Sequence, residues 1–217
     1  MIFSQINLFN MSQKTQVHNL IILDESGSMN SIRDEVIHAF NALLNNIRDI
    51  EKQFPEQEHL VSFYTFNGSG IKKHHIMEPV EQIEQIDHQK YQPNNDTPLY
   101  DAIGQGIVDL RASVEGRKDC HVRVNIMTDG YENASKEYSM KKIKDLIEEM
   151  KKQGWTFIYS GADHDVEKVA MEIAIERKIV FKKSRKGMAD WMANERNLMM
   201  SYSFDIHNEQ LVKDCEI

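Results

Sequence analysis

The chain has 217 residues, 41% of them hydrophobic, and a formal net charge of −8, which fits one α/β domain large enough to bury a sheet between two helical layers. The acidic balance speaks against general affinity for nucleic acid or an anionic membrane, and no apolar run approaches the roughly 18 residues that a membrane span needs. The start, Met1-Ile2-Phe3-Ser4-Gln5, has no basic segment, sustained apolar region or small-residue cleavage site, so no secretory signal is expected; Cys120 and Cys215 form no CxxC pair and read as reduced thiols of a cytoplasmic protein.

Met11 opens an alternative start, and residues 1–16 are read as an N-terminal extension to a single domain over 17–217. Val17 to Leu23 is β-branched and leucine-rich with almost no alternation, the pattern of a central strand covered on both faces. It ends at Asp24. After a Ser-Gly turn, Ser31-Ile32-Arg33-Asp34 has the form of a helix capping box. Val36, Phe40, Leu43, Leu44 and Ile47 then fall at helical spacing, and Pro55 marks the end. Leu60 to Phe66 reads as a strand. Asn67-Gly68-Ser69-Gly70 turns it back into Ile71–Met77, a hairpin that places one antiparallel strand most easily at an edge.

Residues 78–96 are polar and irregular. Pro98 suits a first helical position, which makes Thr97 a natural N-cap for the helix marked by Leu99, Ala102, Ile103, Ile107 and Leu110. Val122 to Met127 is the next strand, ending at Thr128-Asp129-Gly130. Helix (Ile143 to Met150), strand (Thr156 to Ser160), helix (Val166 to Ile173) and short strand (Ile179 to Phe181) follow. Met188, Trp191, Met192, Leu198 and Met199 mark a C-terminal helix whose methionines read as core filler. This alternation predicts a three-layer α/β/α, doubly wound, Rossmann-like fold with a mostly parallel sheet and one antiparallel edge strand.

Three fragments each sit where an apolar run gives way to a turn: Asp24-Glu25-Ser26-Gly27-Ser28, Thr97 and Asp129. If the runs are neighbouring parallel strands, the fragments converge at one sheet edge. Two carboxylates (Asp24, Asp129) and three hydroxyls (Ser26, Ser28, Thr97) then surround one pocket. An oxygen-only set suits a hard cation; Mg²⁺ is the first choice, with Mn²⁺ or Ca²⁺ as others. Helix starts near Ser31 and Thr97 would favour an anion at the same place.

These residues resemble the metal-ion-dependent adhesion site of von Willebrand factor A (VWA) domains. Asp24-Glu25-Ser26-Gly27-Ser28-Met29 looks like the family's DxSxS motif. Thr97-Pro98-Leu99-Tyr100-Asp101-Ala102-Ile103 resembles its threonine loop and following helix, and Thr128-Asp129-Gly130 its distal aspartate. The likeness runs from about Val17 to Ser184. It implies a doubly wound sheet, Ser26, Ser28 and Thr97 as direct ligands, Asp24 and Asp129 acting mainly through water, and a partner protein whose Asp or Glu completes the cation's shell. Where the family often has glycine before the threonine, this chain has Asn94-Asn95-Asp96; Asn and Asp tolerate left-handed backbone. Asp96 would add negative charge at the rim.

Asp163-His164-Asp165 should lie on the same rim. His164 there either shapes specificity or holds a second metal, or the stretch is a strand-to-helix loop with Asp165 near a helix start. His74 and His75 point to opposite faces of a strand. Lys182-Lys183-Ser184-Arg185-Lys186 reads as a solvated basic loop, with docking of an acidic partner or RNA as the alternative. The function expected is a cation-dependent protein-binding module, not an enzyme. Two alternatives stand beside it. One is a metal-dependent phosphoryl-transfer enzyme, against which count the Ser26 in place of a second aspartate and the lack of a P-loop. The other is a scaffold with a purely structural cation.

Overall fold

The computed structural model describes residues 14–117, 120–162 and 165–215, without the side chains of 213–215. In chain order, β1 (Thr15–Asp24) leads through a 3₁₀ turn (Gly27–Ile32) to α1 (Arg33–Gln53), β2 (Gln57–Asn67) and β3 (Gly70–Pro79). A second 3₁₀ turn and a long loop reach α2 (Leu99–Val114). Then come β4 (Cys120–Thr128), α3 (Met140–Lys152), β5 (Thr156–Gly161), α4 (Val166–Glu172), β6 (Arg177–Val180) and α5 (Arg185–Cys215).

The sheet has six strands in the order β3-β2-β1-β4-β5-β6. All neighbours pair in parallel except β2 and β3, so the hairpin supplies the antiparallel edge strand that the sequence predicts. β1 begins at Thr15, two residues inside the expected extension, because Thr15 and Gln16 pair with Gln57 and Glu58.

Alternate residues of the strands feed two cores, as the period of two requires. Ile21, Leu23, Val61, Phe63, Met127 and Ile158 pack with α1 and α5 on one face. Leu20, Ile22, Tyr64, Phe66, Val124 and Tyr159 pack with α2, α3 and α4 on the other. From β1 the chain winds first to β2 and later, from the opposite side, to β4. The carboxyl ends of β1 and β4 therefore flank the topological switch point, where open α/β sheets leave a crevice.

The expected irregular stretch 78–96 begins with the last two residues of β3 and the second 3₁₀ turn (Val80–Gln82), and the loop beyond is irregular but anchored. Val80, Ile83, Ile86 and Tyr91 are buried against the α1 face. Side chains of α1 satisfy part of their backbone in place of a ladder. Asn41 bonds both the carbonyl and the N–H of Ile86 (2.9 Å each), Arg48 donates to Ile83 O, and Arg33 donates to Tyr91 O. Polarity in this loop is thus a poor guide to its order.

Two expectations about helix starts need correction. Ser31 lies inside the 3₁₀ turn and donates to Ser28 O, while Ile32 holds the N-cap position of α1 without a side-chain bond. Thr97 does not cap α2 either. Pro98 occupies that position, and the first amides of the helix are taken from across the crevice: Tyr100 N donates to Glu132 Oε2 (2.9 Å) and Asp101 N to Ser135 Oγ (3.0 Å). Asp101 returns the favour by accepting from the backbone N–H groups of Lys136, Glu137 and Tyr138. Those α2 amides are therefore not open to an external anion.

Candidate metal centre

Asp24 is the last residue of β1 and Asp129 follows the last of β4, and the two strands are hydrogen-bonded neighbours. Both carboxylates are buried. Thr128 links them by donating from Oγ1 to Asp24 Oδ2 (2.6 Å), and Ser26 N closes a tight turn onto Asp24 Oδ1 (2.7 Å). Ser26 Oγ lies 3.2 Å from Ser28 Oγ, and Ser28 Oγ donates to Asp129 Oδ1 at 2.5 Å. A β-carbon added to Gly130 would sit 3.7 Å from Ser28 Oγ and 3.8 Å from Thr97 Oγ1, so both hydroxyls border the same small space. The fold thus brings Asp24, Ser26, Ser28, Thr97 and Asp129 to one point.

Thr97 is delivered there by its backbone. Its N–H donates to Asn133 Oδ1 (2.8 Å) and its carbonyl accepts from the N–H of Leu99 and of Asn133, which leaves the hydroxyl for the crevice. The preceding turn is pinned to the β1 loop twice: Asn94 N donates to Glu25 O and Gly27 N to Asn95 O, both at 2.9 Å. Asn95 adopts φ 60°, the left-handed conformation that asparagine accepts more readily than most residues. Gly68 allows the close approach of the hairpin, since a β-carbon there would meet Asn95 Cβ at 2.8 Å and Asp96 N at 2.9 Å.

Glu25, unremarked in the sequence, is the centre of this stitching. Its side chain is fully buried. Oε1 accepts from Gln92 N (2.7 Å), and Oε2 accepts from Thr65 Oγ1 and from Lys72 Nζ, both at 3.0 Å. One carboxylate thus joins β1, β2, β3 and the loop that carries Thr97. His74 Nε2 stands 2.8 Å from Thr65 Oγ1, whose single proton goes to Glu25, so His74 carries its proton on Nε2. His75 turns away to Glu78, so the two histidines share no site.

Burial pushes the Asp24 carboxyl up to about 6; the bonds from Thr128 and Ser26 oppose that shift and the Asp129 charge adds to it. Lys183 answers the second charge. Its ammonium stands 2.6 Å from Asp129 Oδ2. That oxygen is buried, and among the described residues no donor meets it with hydrogen-bond geometry, so the contact is an ion pair. This corrects the reading of 182–186 as a solvated loop. Lys182, Arg185 and Lys186 are exposed, but Lys183 points into the crevice.

At the mouth, Ser28 and Asp96 are exposed. Tyr131, next to Gly130, is 55% exposed, and its phenol accepts from Asp165 N at 3.0 Å. His164 lies outside the described residues. Asp165 is the N-cap of α4, its carboxylate accepting from Lys168 N (3.0 Å), which favours the loop reading of that stretch. Among the described residues no group of three or more His, Cys, Asp or Glu is placed to hold a metal.

Comparison with known proteins agrees on the fold. No curated protein matches the chain. Among solved structures, a mutant of the PilB minor pilin from Streptococcus sanguinis aligns with a TM-score of 0.65 at 12% identity, over 90% of this chain and 64% of that one. Proximal thread matrix protein 1 from the mussel byssus aligns at 0.56 and 15%, over 85% of this chain and 46% of that one. The chain thus spans less than two thirds of the length of either protein. The SpRpn10 VWA domain aligns at 0.57 and 13%, over 82% and 94%. At such identities the likeness is one of fold. The family model for the von Willebrand factor type A domain matches residues 20–192, and with that match over most of its length the chain belongs to the von Willebrand factor type A domain family.

Proposed function

We propose that the chain holds a divalent cation, Mg²⁺ in the first instance, at the switch-point crevice and uses it to bind an acidic side chain of a partner protein. The observation that carries this reading is the convergence of the Ser26, Ser28 and Thr97 hydroxyls beside two buried aspartates. The donor set fits the ion. Hydroxyl oxygens are hard neutral ligands, and Mg²⁺ keeps several waters when the protein supplies few ligands. Asp24 already spends both oxygens on Ser26 N and Thr128 Oγ1, which suits a role through water more than direct contact. With no protein charge among its direct ligands, the ion supplies an electrophilic face for a carboxylate.

The chain's own residues do the rest. Glu25 and Asn133 hold the Thr97 loop in register with the Ser26-Gly27-Ser28 turn. Gly130 leaves room above the hydroxyls, and Tyr131 and Asp96 flank the mouth. VWA domains commonly mediate protein–protein interaction, and one of the structural neighbours is the pilus adhesin SpaC from Lactobacillus rhamnosus GG (TM-score 0.59, 13% identity, over 86% of this chain and 30% of that one).

Calorimetric titration with Mg²⁺ tests the reading. Asp24→Ala is expected to weaken binding by about 10–100-fold. Equal binding by the variant would remove Asp24 from the site. The pH dependence has a definite sign. The folded carboxyl of Asp24 is raised above its ordinary value, so the stability it contributes is fully present only below pH 3.8 and is lost as pH rises through about 6. A cation requires the charged form and relieves that penalty. Affinity for Mg²⁺ is therefore expected to level off above pH 7 and to fall below pH 6, approaching roughly tenfold per pH unit. The rise in melting temperature on adding Mg²⁺ should shrink between pH 7.5 and pH 5; a rise independent of pH would contradict the role given to Asp24.

A further inference from the structure

We propose that Lys183 is a built-in counter-cation of the crevice: its ammonium and the divalent ion exclude one another, and the lysine sets how much cation the site needs. The inference rests on the cation-site reading above. Its observation is separate, namely the ion pair of Lys183 Nζ with Asp129 Oδ2 (2.6 Å), in which the carboxylate is fully buried and the lysine side chain is 19% exposed.

The lysine is aimed by a fixed turn, not by a loose arm. Phe181 N extends the strand pairing onto Gly161 O (3.0 Å), and Phe181 itself is buried. Ser184 N donates to Lys182 O (2.7 Å), Met188 N to Ser184 O (2.9 Å) and Gly187 N to Ser184 Oγ (3.1 Å). Gly187 lies so close to Lys182 O that a β-carbon there would be 2.2 Å away, so the turn depends on that glycine. Lys183 thereby reaches from the end of β6 past the end of β5 to Asp129.

The electrostatics follow from position. Asp129 Oδ1 is bound to Ser28 Oγ, one of the three hydroxyls of the set, so the ammonium on Oδ2 stands within a few ångströms of any ion among them. Like charges that close, in a weakly screened crevice, repel strongly. A lysine stem is flexible and its head is readily hydrated, so the ammonium can leave for solvent at modest rotamer cost. Without the cation, Lys183 keeps Asp129 from standing as an uncompensated buried charge. With it, the lysine is released to the mouth.

The test compares Mg²⁺ titrations of the intact chain, Lys183→Met and Lys183→Arg by calorimetry, with circular dichroism to verify folding. Lys183→Met is expected to bind Mg²⁺ at least tenfold more tightly, and Lys183→Arg to remain near the original affinity. The metal-free Lys183→Met protein should also melt at a lower temperature, a deficit that saturating Mg²⁺ removes. In the original chain, acylation of Lys183 by an amine-directed reagent, followed by mass spectrometry, should accelerate on adding Mg²⁺. Equal or weaker Mg²⁺ binding by Lys183→Met overturns the proposal while leaving the cation site standing. Absence of Mg²⁺ binding in both the original chain and Lys183→Met overturns the site and the proposal together.

Discussion

Glu195→Ala is expected to lower the free energy of unfolding by about 3–5 kcal/mol, the range for removing one partner of a buried ion pair. Glu195 projects from α5 onto β4 and is fully buried. Its Oε1 accepts from Arg123 Nη2 and from Asn125 Nδ2, two residues of the same strand. Arg123 is itself only 3% exposed, and a guanidinium does not shed its charge. Removing the carboxylate therefore leaves a buried cation without a partner. His59, whose ring burial and then Arg123 hold down at about 4, stays neutral near pH 7 and cannot compensate. Replacing both members together, Arg123→Met with Glu195→Leu, should recover most of the loss, because the desolvation of two charges disappears with their attraction. Urea unfolding of the three proteins measures this, and a loss below about 1 kcal/mol for Glu195→Ala would mean that water reaches the pair.

Glu25→Ala is expected to act on stability and on the crevice at once. The carboxylate makes buried or half-buried charge-assisted bonds to Gln92 N and Thr65 Oγ1, and their loss should cost about 2–4 kcal/mol. Nothing is added for Lys72, whose side chain is half exposed and can turn to water. The same change removes the tie at Gln92 from the segment that runs to Thr97, leaving the backbone bonds at Asn94 and Asn95 and the Asn133 bonds to Thr97. Affinity for Mg²⁺ should therefore fall by tenfold or more in a protein that still folds. Glu25→Gln, which keeps an acceptor for Gln92, should sit between the two. Urea unfolding combined with Mg²⁺ calorimetry reads both effects; unchanged stability in Glu25→Ala would show that the loop is held without Glu25.

Much of the fold was legible because burial writes itself into period. Val17–Leu23 has no alternation because it is a central strand between two helical layers, and the stripe Val36, Phe40, Leu43, Leu44, Ile47 is the buried face of α1. The convergence of Asp24, Ser26, Ser28, Thr97 and Asp129 was legible for a related reason: each lies where such a pattern stops. What escaped are residues whose partners come from distant segments. Glu25 looks like any acid in a turn, and only tertiary contact shows it buried. Lys183 sits in a run of bases, four of the five residues in 182–186, that composition assigns to solvent. The cap of α2 escaped because it comes from residues 132–135, more than thirty positions away. The Arg123–Glu195 pair did leave a signal. Val122, Val124 and Ile126 alternate with Arg123 and Asn125, the mark of a strand with one polar face, and that face lies under α5.

The most direct measurement is the anomalous scattering of crystals grown with Mn²⁺, which takes the same oxygen ligands. The expected map has one strong peak in the switch-point crevice, within about 2–2.5 Å of Ser26 Oγ, Ser28 Oγ and Thr97 Oγ1, with at least one coordination position turned to solvent or to a neighbouring acid. A map with no peak there at saturating Mn²⁺, or with the ion bound elsewhere and the three hydroxyls outside its shell, would contradict a cation-presenting site in this chain.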